Sequence, residues 1–213
     1  MTRGKFITLE GGEGMGKSSC LDVIVSTLDK HGITSVSTRE PGGTALGEQL
    51  RGVLLDKNNT DIAPDAELLM MFAARAQHLD HVIRPAIDRG DWVISDRFTD
   101  ASFAYQGGGR GMPAESIKVL EQWLHKDINP DLTVLLDAPV EVGLQRIVHR
   151  GEKDRFERER VEFFERVRAT YLSRAEQFPE RFRVVSSEHA LEEMKLAVRK
   201  HIIELIHRSE SDD

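Results

Sequence analysis

Apolar residues run almost unbroken over residues 6–10 (FITLE), 92–95 (WVIS) and 132–137 (LTVLLD), and β-rich stretches follow at 33–38 (ITSVST) and 182–186 (FRVVS). Short apolar runs of this kind read as strands buried on both faces of a sheet. Between them the spacing changes to a period near 3.6. Leu21, Ile24, Val25 and Leu28 share a face over residues 17–31, and Leu68, Leu69, Phe72, Leu79 and Ile83 recur over residues 65–88. Further helices are predicted over 114–126, after Pro113 at a first-turn position, and over 140–149, 158–177 and 189–207. Strands alternating with helices predict an α/β fold with a five-stranded parallel sheet flanked by helices, and residues 1–213 read as a single domain. Ligands of such sheets bind beyond the carboxyl ends of the strands, which sets Glu10, Arg39, Asp96 and Asp137 near one edge.

Composition narrows the picture. Charged residues make up 31% and hydrophobic residues 39%, as in ordinary globular proteins, and the net charge of −7 argues against broad binding to nucleic acid or anionic membrane. The single cysteine, Cys20, excludes an internal disulfide and suits a reducing compartment, where it reads as a packed small residue. The opening MTRGKFITLEGG has too short an apolar run for a signal peptide or a membrane span, so a cytoplasmic protein is expected. The tail HRSESDD is polar and is expected to fray.

The first strand leads into GGEGMGKS, Gly11 to Ser18, with the spacing G-x-x-x-x-G-K-S. Glycines let the backbone curl so that successive N–H groups meet phosphate oxygens, and the following helix adds its N-terminal dipole. Lys17 can reach β- and γ-phosphates, and Ser18 can hold Mg²⁺. The motif alone does not separate a GTPase, an ATPase and a small-molecule kinase. No Asn-Lys-x-Asp guanine-reading element is present. A second anion site is suggested instead by Arg39 and Glu40 in TREPGG, by Arg51 on the next helix and by Asp96-Arg97, since arginine forks suit phosphate.

The stretches FITLEGGEGMGKS, TREPGGTALGEQLR, LLMMFAARAQH, DRFTDASFAYQGGGRG, LLDAPVEVGLQRI and RGEKDRFE, in that order across residues 5–178, resemble bacterial thymidylate kinases with the catalytic arginine in a lid. The resemblance implies a P-loop nucleoside monophosphate kinase fold with a short lid near 149–160. It also implies transfer of the γ-phosphate of ATP to dTMP, with Mg²⁺, in a homodimer formed through long helices, for which 65–88 and 114–126 are candidates. By the same resemblance Gly11, Gly12, Glu13, Gly14, Met15, Gly16, Lys17 and Ser18 bind ATP. Arg97 bridges donor and acceptor phosphates, and Asp96 organises the metal. Phe72 stacks on thymine, Arg75 bonds its carbonyl edge, and Ser102 and Gln106 lie on the other side with Gln106 at N3. Tyr105 packs beside the sugar, Arg51 binds the acceptor phosphate with Arg39 in support, Glu40 combines a structural role with acceptor contact, and Glu13 faces sugar and metal. Glycine at position 14, where some relatives carry an arginine, shifts that duty to the lid, with Arg155 first and Arg150 second for contact with ATP phosphates.

On spacing alone Phe72 reads as core, Arg75 as a solvated helix arginine, and Gln106 with Gly107–Gly109 as a loop. Asp137 reads as a cap for the following helix, and His78 and His81 as surface or packing residues. Phe98, Ala101 and Ser19-Cys20 depart from the family's commonest residues, which puts a polar role for position 98 in doubt. Two alternatives stay open: a kinase for another monophosphate such as dUMP, UMP or AMP, and a nucleotide-binding regulator without turnover.

Overall fold

The structure, a computed structural model, describes residues 3–148 and 154–211. Five parallel strands form one sheet: β1 (Phe6–Gly11), β2 (Ser35–Arg39), β3 (Trp92–Asp96), β4 (Leu132–Asp137) and β5 (Phe182–Ser186), in the order β2-β3-β1-β4-β5. The three central strands are buried along nearly their whole length, and the edge strands β2 and β5 alternate buried or half-buried with exposed positions. That contrast is why FITLE, WVIS and LTVLLD are uninterrupted apolar runs while SVSTR and FRVVS are mixed.

Nine α-helices are assigned among the described residues: α1 (Lys17–Lys30), α2 (Ala45–Leu55), α3 (Pro64–His78), α4 (Arg84–Asp88), α5 (Thr99–Ser102), α6 (Ala114–His125), α7 (Val140–Val148), α8 (Val161–Gln177) and α9 (Leu191–Ser211). One face of the sheet buries Ile7, Leu9 and Val134 against Ile24 and Leu28 of α1 and Val198 and Ile202 of α9. A second cluster joins Leu135 to Phe163, Phe164, Val167 and Tyr171 of α8, and a third packs Phe6, Val93 and Phe98 against Leu79, Ile83 and Ile87.

Three local features differ from the periodicity. The helix expected over 65–88 is α3 and α4 joined by a π-helical turn, Leu79–Ile83. Pro85 lacks the N–H that an unbroken α-helix would use here, and the wider turn accommodates that loss. The glycine run at Gly107–Gly109 is no loop; Phe103–Gly109 is a second π-helical segment continuing α5. It lies so close to α8 that a Cβ at Gly108 would stand 2.1 Å from Thr170 Oγ1 and 2.8 Å from the Arg166 carbonyl oxygen. Helix α9 runs to Ser211, so most of the tail expected to fray is helical. Asp137 does not cap α7: its Oδ1 and Oδ2 accept from Arg168 Nε and Nη2 at 2.8 and 2.9 Å, tying β4 to α8.

Candidate active site

The turn from Gly11 to Lys17 joins the end of β1 to the start of α1. Gly16, at the N-cap, has left-handed backbone angles and offers no side chain to the first turn, which also lacks acidic residues. The leading N–H groups of α1 are thus left for an anion from outside, in the field of the helix dipole. Gly14 has φ 72°, and a Cβ there would stand 2.3 Å from the Gly143 carbonyl oxygen of α7. The loop therefore accepts no side chain at position 14 unless α7 withdraws, and an arginine has no room there. Lys17 Nζ donates to the Gly11 and Gly12 carbonyl oxygens at 3.1 and 2.9 Å, folding its side chain back over the loop. Burial, and then the Arg97 charge, lower its pKa.

The end of β3 stands beside this loop, with Asp96 in register with Leu9 of β1 and Arg39 of β2. Asp96 Oδ1 is buried without a hydrogen-bond partner. Arg97 follows with φ 70°, a strained angle for any residue but glycine, held by its N–H on the Leu9 carbonyl and by Ser95 Oγ donating to its own carbonyl. That turn aims the guanidinium across the loop. Nη1 donates to the Gly11 carbonyl at 2.9 Å, Nη2 pairs with Glu13 Oε1, and the group lies 4.8 Å over the Tyr105 ring. Burial alone would lower the Arg97 pKa, but the Glu13 carboxylate overrides it and holds the group well above the usual arginine value. Tyr105 Oη donates to the same Glu13 oxygen at 3.0 Å.

These residues face a cavity of about 290 Å³. Its lining runs from Glu13 through Ser18, takes in Arg39, Glu40 and Arg51, and closes with Asp96, Arg97, Tyr105 and Gln106. Arg51 Nη1 donates to the Pro41 carbonyl at 2.9 Å, and Arg39 pairs with Glu48 at the same distance. Gly11 and Gly12 do not line the cavity. Phe72, Arg75 and Ser102 do not line it either; they lie buried and reach its lining through Glu40. There Arg75 Nε donates to Glu40 Oε2 at 2.7 Å, Nη1 to Ser102 Oγ at 3.1 Å and Nη2 to the Phe98 carbonyl at 3.1 Å, with the guanidinium 4.5 Å over the Phe72 ring. His78 Nδ1 meets Glu40 Oε1 at 2.9 Å and its Nε2 meets Thr38 Oγ1 at 2.7 Å, so this histidine is a buried link between β2 and α3. Burial opposes ionisation of Glu40, and Arg75 with His78 still bring its pKa below the usual carboxylate value.

The lid differs from expectation in its side chains. Arg155 does not line the cavity. Its Nε donates to the Leu54 carbonyl at 2.8 Å, its Nη2 stands 2.6 Å from Glu67 Oε2, and it lies 4.4 Å over the Phe156 ring. The neighbours Asp154, Phe156 and Glu157 do border the cavity. Arg150 lies outside the described residues.

Sequence reasoning gave no role to Glu10 and Tyr171. Glu10 Oε1 accepts from the Phe98 N–H at 2.7 Å and Oε2 from Tyr171 Oη at 2.8 Å; Tyr171 Oη also lies 3.4 Å from Arg97 Nη1. Together they clamp the turn that carries Arg97. No local motif marks Tyr171, which comes from α8, whereas Glu10 stood out only as a carboxylate ending an apolar strand. Burial, and then the Asp100 charge, push the Glu10 pKa from 4.5 to about 7. Between those values the folded state binds more protons than the unfolded one, so this group's contribution to stability is lost as pH rises from 4.5 to 7. His125, whose pKa burial lowers from 6.5 to about 3, acts in the opposite sense over pH 3–6.5. Glu10→Gln isolates the first effect: relative to the unaltered protein, its unfolding free energy in urea rises between pH 4.5 and 7 and is level outside that window. An unchanging difference would remove Glu10 as the titrating group.

A divalent cation fits here through chemistry rather than a dense ligand cage. Among the described residues no group of three His, Cys, Asp or Glu side chains converges as a metal site. Asp96, with its unpartnered Oδ1, and Ser18 border the same cavity, and Mg²⁺ commonly takes one or two protein oxygens beside substrate phosphates.

The family model for thymidylate kinase matches residues 9–198. Thymidylate kinase of Nitrosomonas europaea is 57% identical over 198 residues, 93% of this chain and 92% of that one. The protein of the same description from Methylobacillus flagellatus is 52% identical over 204 residues, 96% and 97% of the two chains. The crystal structure of thymidylate kinase from Ehrlichia chaffeensis superposes with a TM-score of 0.75 at 28% identity, covering 96% of this chain and 99% of that one, which gives the sheet described above the P-loop nucleoside monophosphate kinase fold. With a motif-bearing loop, arginines lining the same cavity and likeness over almost the whole length of each relative, the chain belongs to the thymidylate kinase family.

Proposed function

We propose that this thymidylate kinase catalyses MgATP + dTMP → MgADP + dTDP with Arg97 as the bridge between the two nucleotides. The observation that carries this reading is the position of Arg97, bonded to the phosphate loop through Gly11 and Glu13 and stacked on Tyr105 of the acceptor side. An oxygen of the dTMP phosphate attacks the γ-phosphorus in line, and the bond from that phosphorus to the β-phosphate oxygen breaks as ADP leaves. The attacking oxygen is already ionised, so no general base is needed, and catalysis is positioning with charge neutralisation.

Lys17 leaves the Gly11 and Gly12 carbonyls to meet the β- and γ-phosphates, while backbone N–H groups of the loop and the first turn of α1 hold the phosphate oxygens. Ser18 and Asp96 would hold Mg²⁺, which would supply neutralisation of phosphate charge. Arg51, supported by Arg39, takes the acceptor phosphate. Glu13 and Tyr105 border the sugar, Tyr105 disfavouring a 2′-hydroxyl. Phe72, Arg75 and the Ser102 hydroxyl bonded to it form the thymine wall, and Gln106 meets the base from the cavity lining. Arg155 reaches donor phosphates only by releasing Glu67 and the Leu54 carbonyl; movement of residues 154–160 would supply it, with Arg150 adjacent in the chain.

The same reading makes the whole chain a single cytoplasmic domain and a homodimer. Among the described residues no helix is long and apolar enough to cross a membrane. Leu69 on α3 and Val119 and Trp123 on α6 are exposed, apolar and on the two helices expected to carry a dimer contact.

The test is an ADP-release assay with MgATP and dTMP, dUMP, UMP, dCMP, AMP and GMP in turn. Selective turnover of dTMP is expected. Preference for another monophosphate would overturn the thymine assignment, and ATP binding without turnover would leave a nucleotide-binding regulator.

A further inference from the structure

Glu67 of α3 is fully buried and stands outside the cavity; in the reading above it is only the partner that Arg155 releases. Its Oε1 accepts from Gln106 Nε2 at 2.9 Å and from Arg110 Nε at 3.3 Å. Its Oε2 faces Arg155 Nη2 at 2.6 Å and Arg110 Nη2 at 3.3 Å. Each of these neighbours is a nitrogen donor, so the carboxyl group meets Gln106 as an acceptor. An amide beside such a group has one choice. Its nitrogen must face the carboxylate, because its oxygen there would set two acceptors against each other. Gln106, 1% exposed, lines the cavity while Glu67 does not, so the rest of the amide serves the pocket: the carbonyl oxygen and the second N–H.

We propose that Glu67 is a specificity-determining positioning residue that fixes the Gln106 amide so that it meets a base carrying N3–H beside a carbonyl and rejects one carrying a bare N3. This rests on the reading that Gln106 meets the base. Thymine offers a donor at N3 and acceptors on either side, the complement of an amide oxygen and the remaining N–H. Cytosine offers an acceptor at N3, which would face the fixed amide oxygen. A free glutamine would flip and serve either base, so the discrimination comes from the buried carboxylate behind it. Arg110, which contacts both Glu67 oxygens, takes part by holding that carboxylate in place when Arg155 leaves it.

The experiment measures kcat/KM for dTMP and dCMP in the unaltered enzyme and in Glu67→Gln, Glu67→Asp and Gln106→Leu. Glu67→Gln gives the amide a partner that can donate as well as accept, so Gln106 can turn. Glu67→Asp keeps the charge for both arginines but withdraws the oxygen from Gln106. In both, the dTMP-to-dCMP ratio is expected to fall roughly 5–100-fold, the range of one base-edge mismatch, with the change in KM more than in kcat. A merely structural role would weaken both substrates alike and leave the ratio intact. A shifted ratio in Gln106→Leu with unshifted ratios in the Glu67 variants would overturn the proposal alone. An unshifted ratio in Gln106→Leu would overturn the base assignment, and the proposal with it. The unaltered, ligand-free protein provides a reading that needs no Glu67 variant to fold. The side-chain amide NMR signal absent from Gln106→Leu should contain one downfield proton protected from exchange. Two freely exchanging protons would overturn the proposal.

Discussion

Arg97→Ala is expected to lower kcat by about 10³–10⁵, the worth of an arginine that stabilises charge in phosphoryl transfer, with a smaller change in the KM for ATP. The argument begins with the backbone. A non-glycine residue at φ 70° costs roughly 1–2 kcal/mol, and this chain maintains it at the end of β3 with two hydrogen bonds and the Glu10–Tyr171 clamp beside it. The strained angle points the guanidinium at the phosphate loop. Alanine keeps the strained angle and loses the charge; glycine loses both. Arg97→Gly should therefore be about as inactive as Arg97→Ala yet more stable by about 1–2 kcal/mol, which pairs strain with activity at one residue. Arg97→Lys keeps a positive charge but cannot fork between Gly11 and Glu13, so most of the loss should remain. Single-turnover kinetics with thermal melts check all three. A kcat within tenfold of the unaltered enzyme in Arg97→Ala would remove Arg97 from the transition state.

What could be read from the sequence was local or periodic. The phosphate loop is contiguous, so spacing, preceding strand and following helix identify it together. The buried strands declared themselves because both faces are covered, and β2 and β5 were harder because edges mix polarity. Gly107–Gly109 looked like a loop because glycine is read as a turn residue, whereas here small size matters: at Gly108 and Gly109, Thr170, Arg166 and Phe163 of α8 occupy the space that side chains would need. Asp137 had two plausible local uses, and a residue thirty-one positions away settled it. Arg155 illustrates the same limit more sharply. The sequence supplies a lid arginine, but its direction depends on Glu67, an acid on α3 that spacing treats as one more polar helix position. Long charged side chains find partners through tertiary contacts, and periodicity carries no information about which partner is met.

The Glu40–Arg75 pair converts that tertiary dependence into a measurable loss. Both side chains are almost fully buried, at 4% and 3% exposure, and Nε lies 2.7 Å from Oε2. Removing one partner of a buried pair leaves the other charge without compensation, which costs about 3–5 kcal/mol. Glu40→Ala is therefore expected to lower Tm by roughly 6–20 °C in a chain of this size. It should also raise the KM for dTMP by about 10–100-fold, because Arg75, freed from Glu40 and His78 behind it, no longer presents a fixed fork to the base. Stability loss by itself could lower activity, so a second buried acid serves as reference. Asp100 pairs with Arg174 and, at 2.7 Å, with Arg181, and it does not line the cavity. Asp100→Ala should lose stability to a similar extent while its KM for dTMP, measured well below the melting transition, stays near the original. If the two variants raise that KM equally, Glu40 acts through folding alone. If only Glu40→Ala raises it, the buried carboxylate sets the position of the arginine at the acceptor pocket, and the same bond serves both stability and recognition.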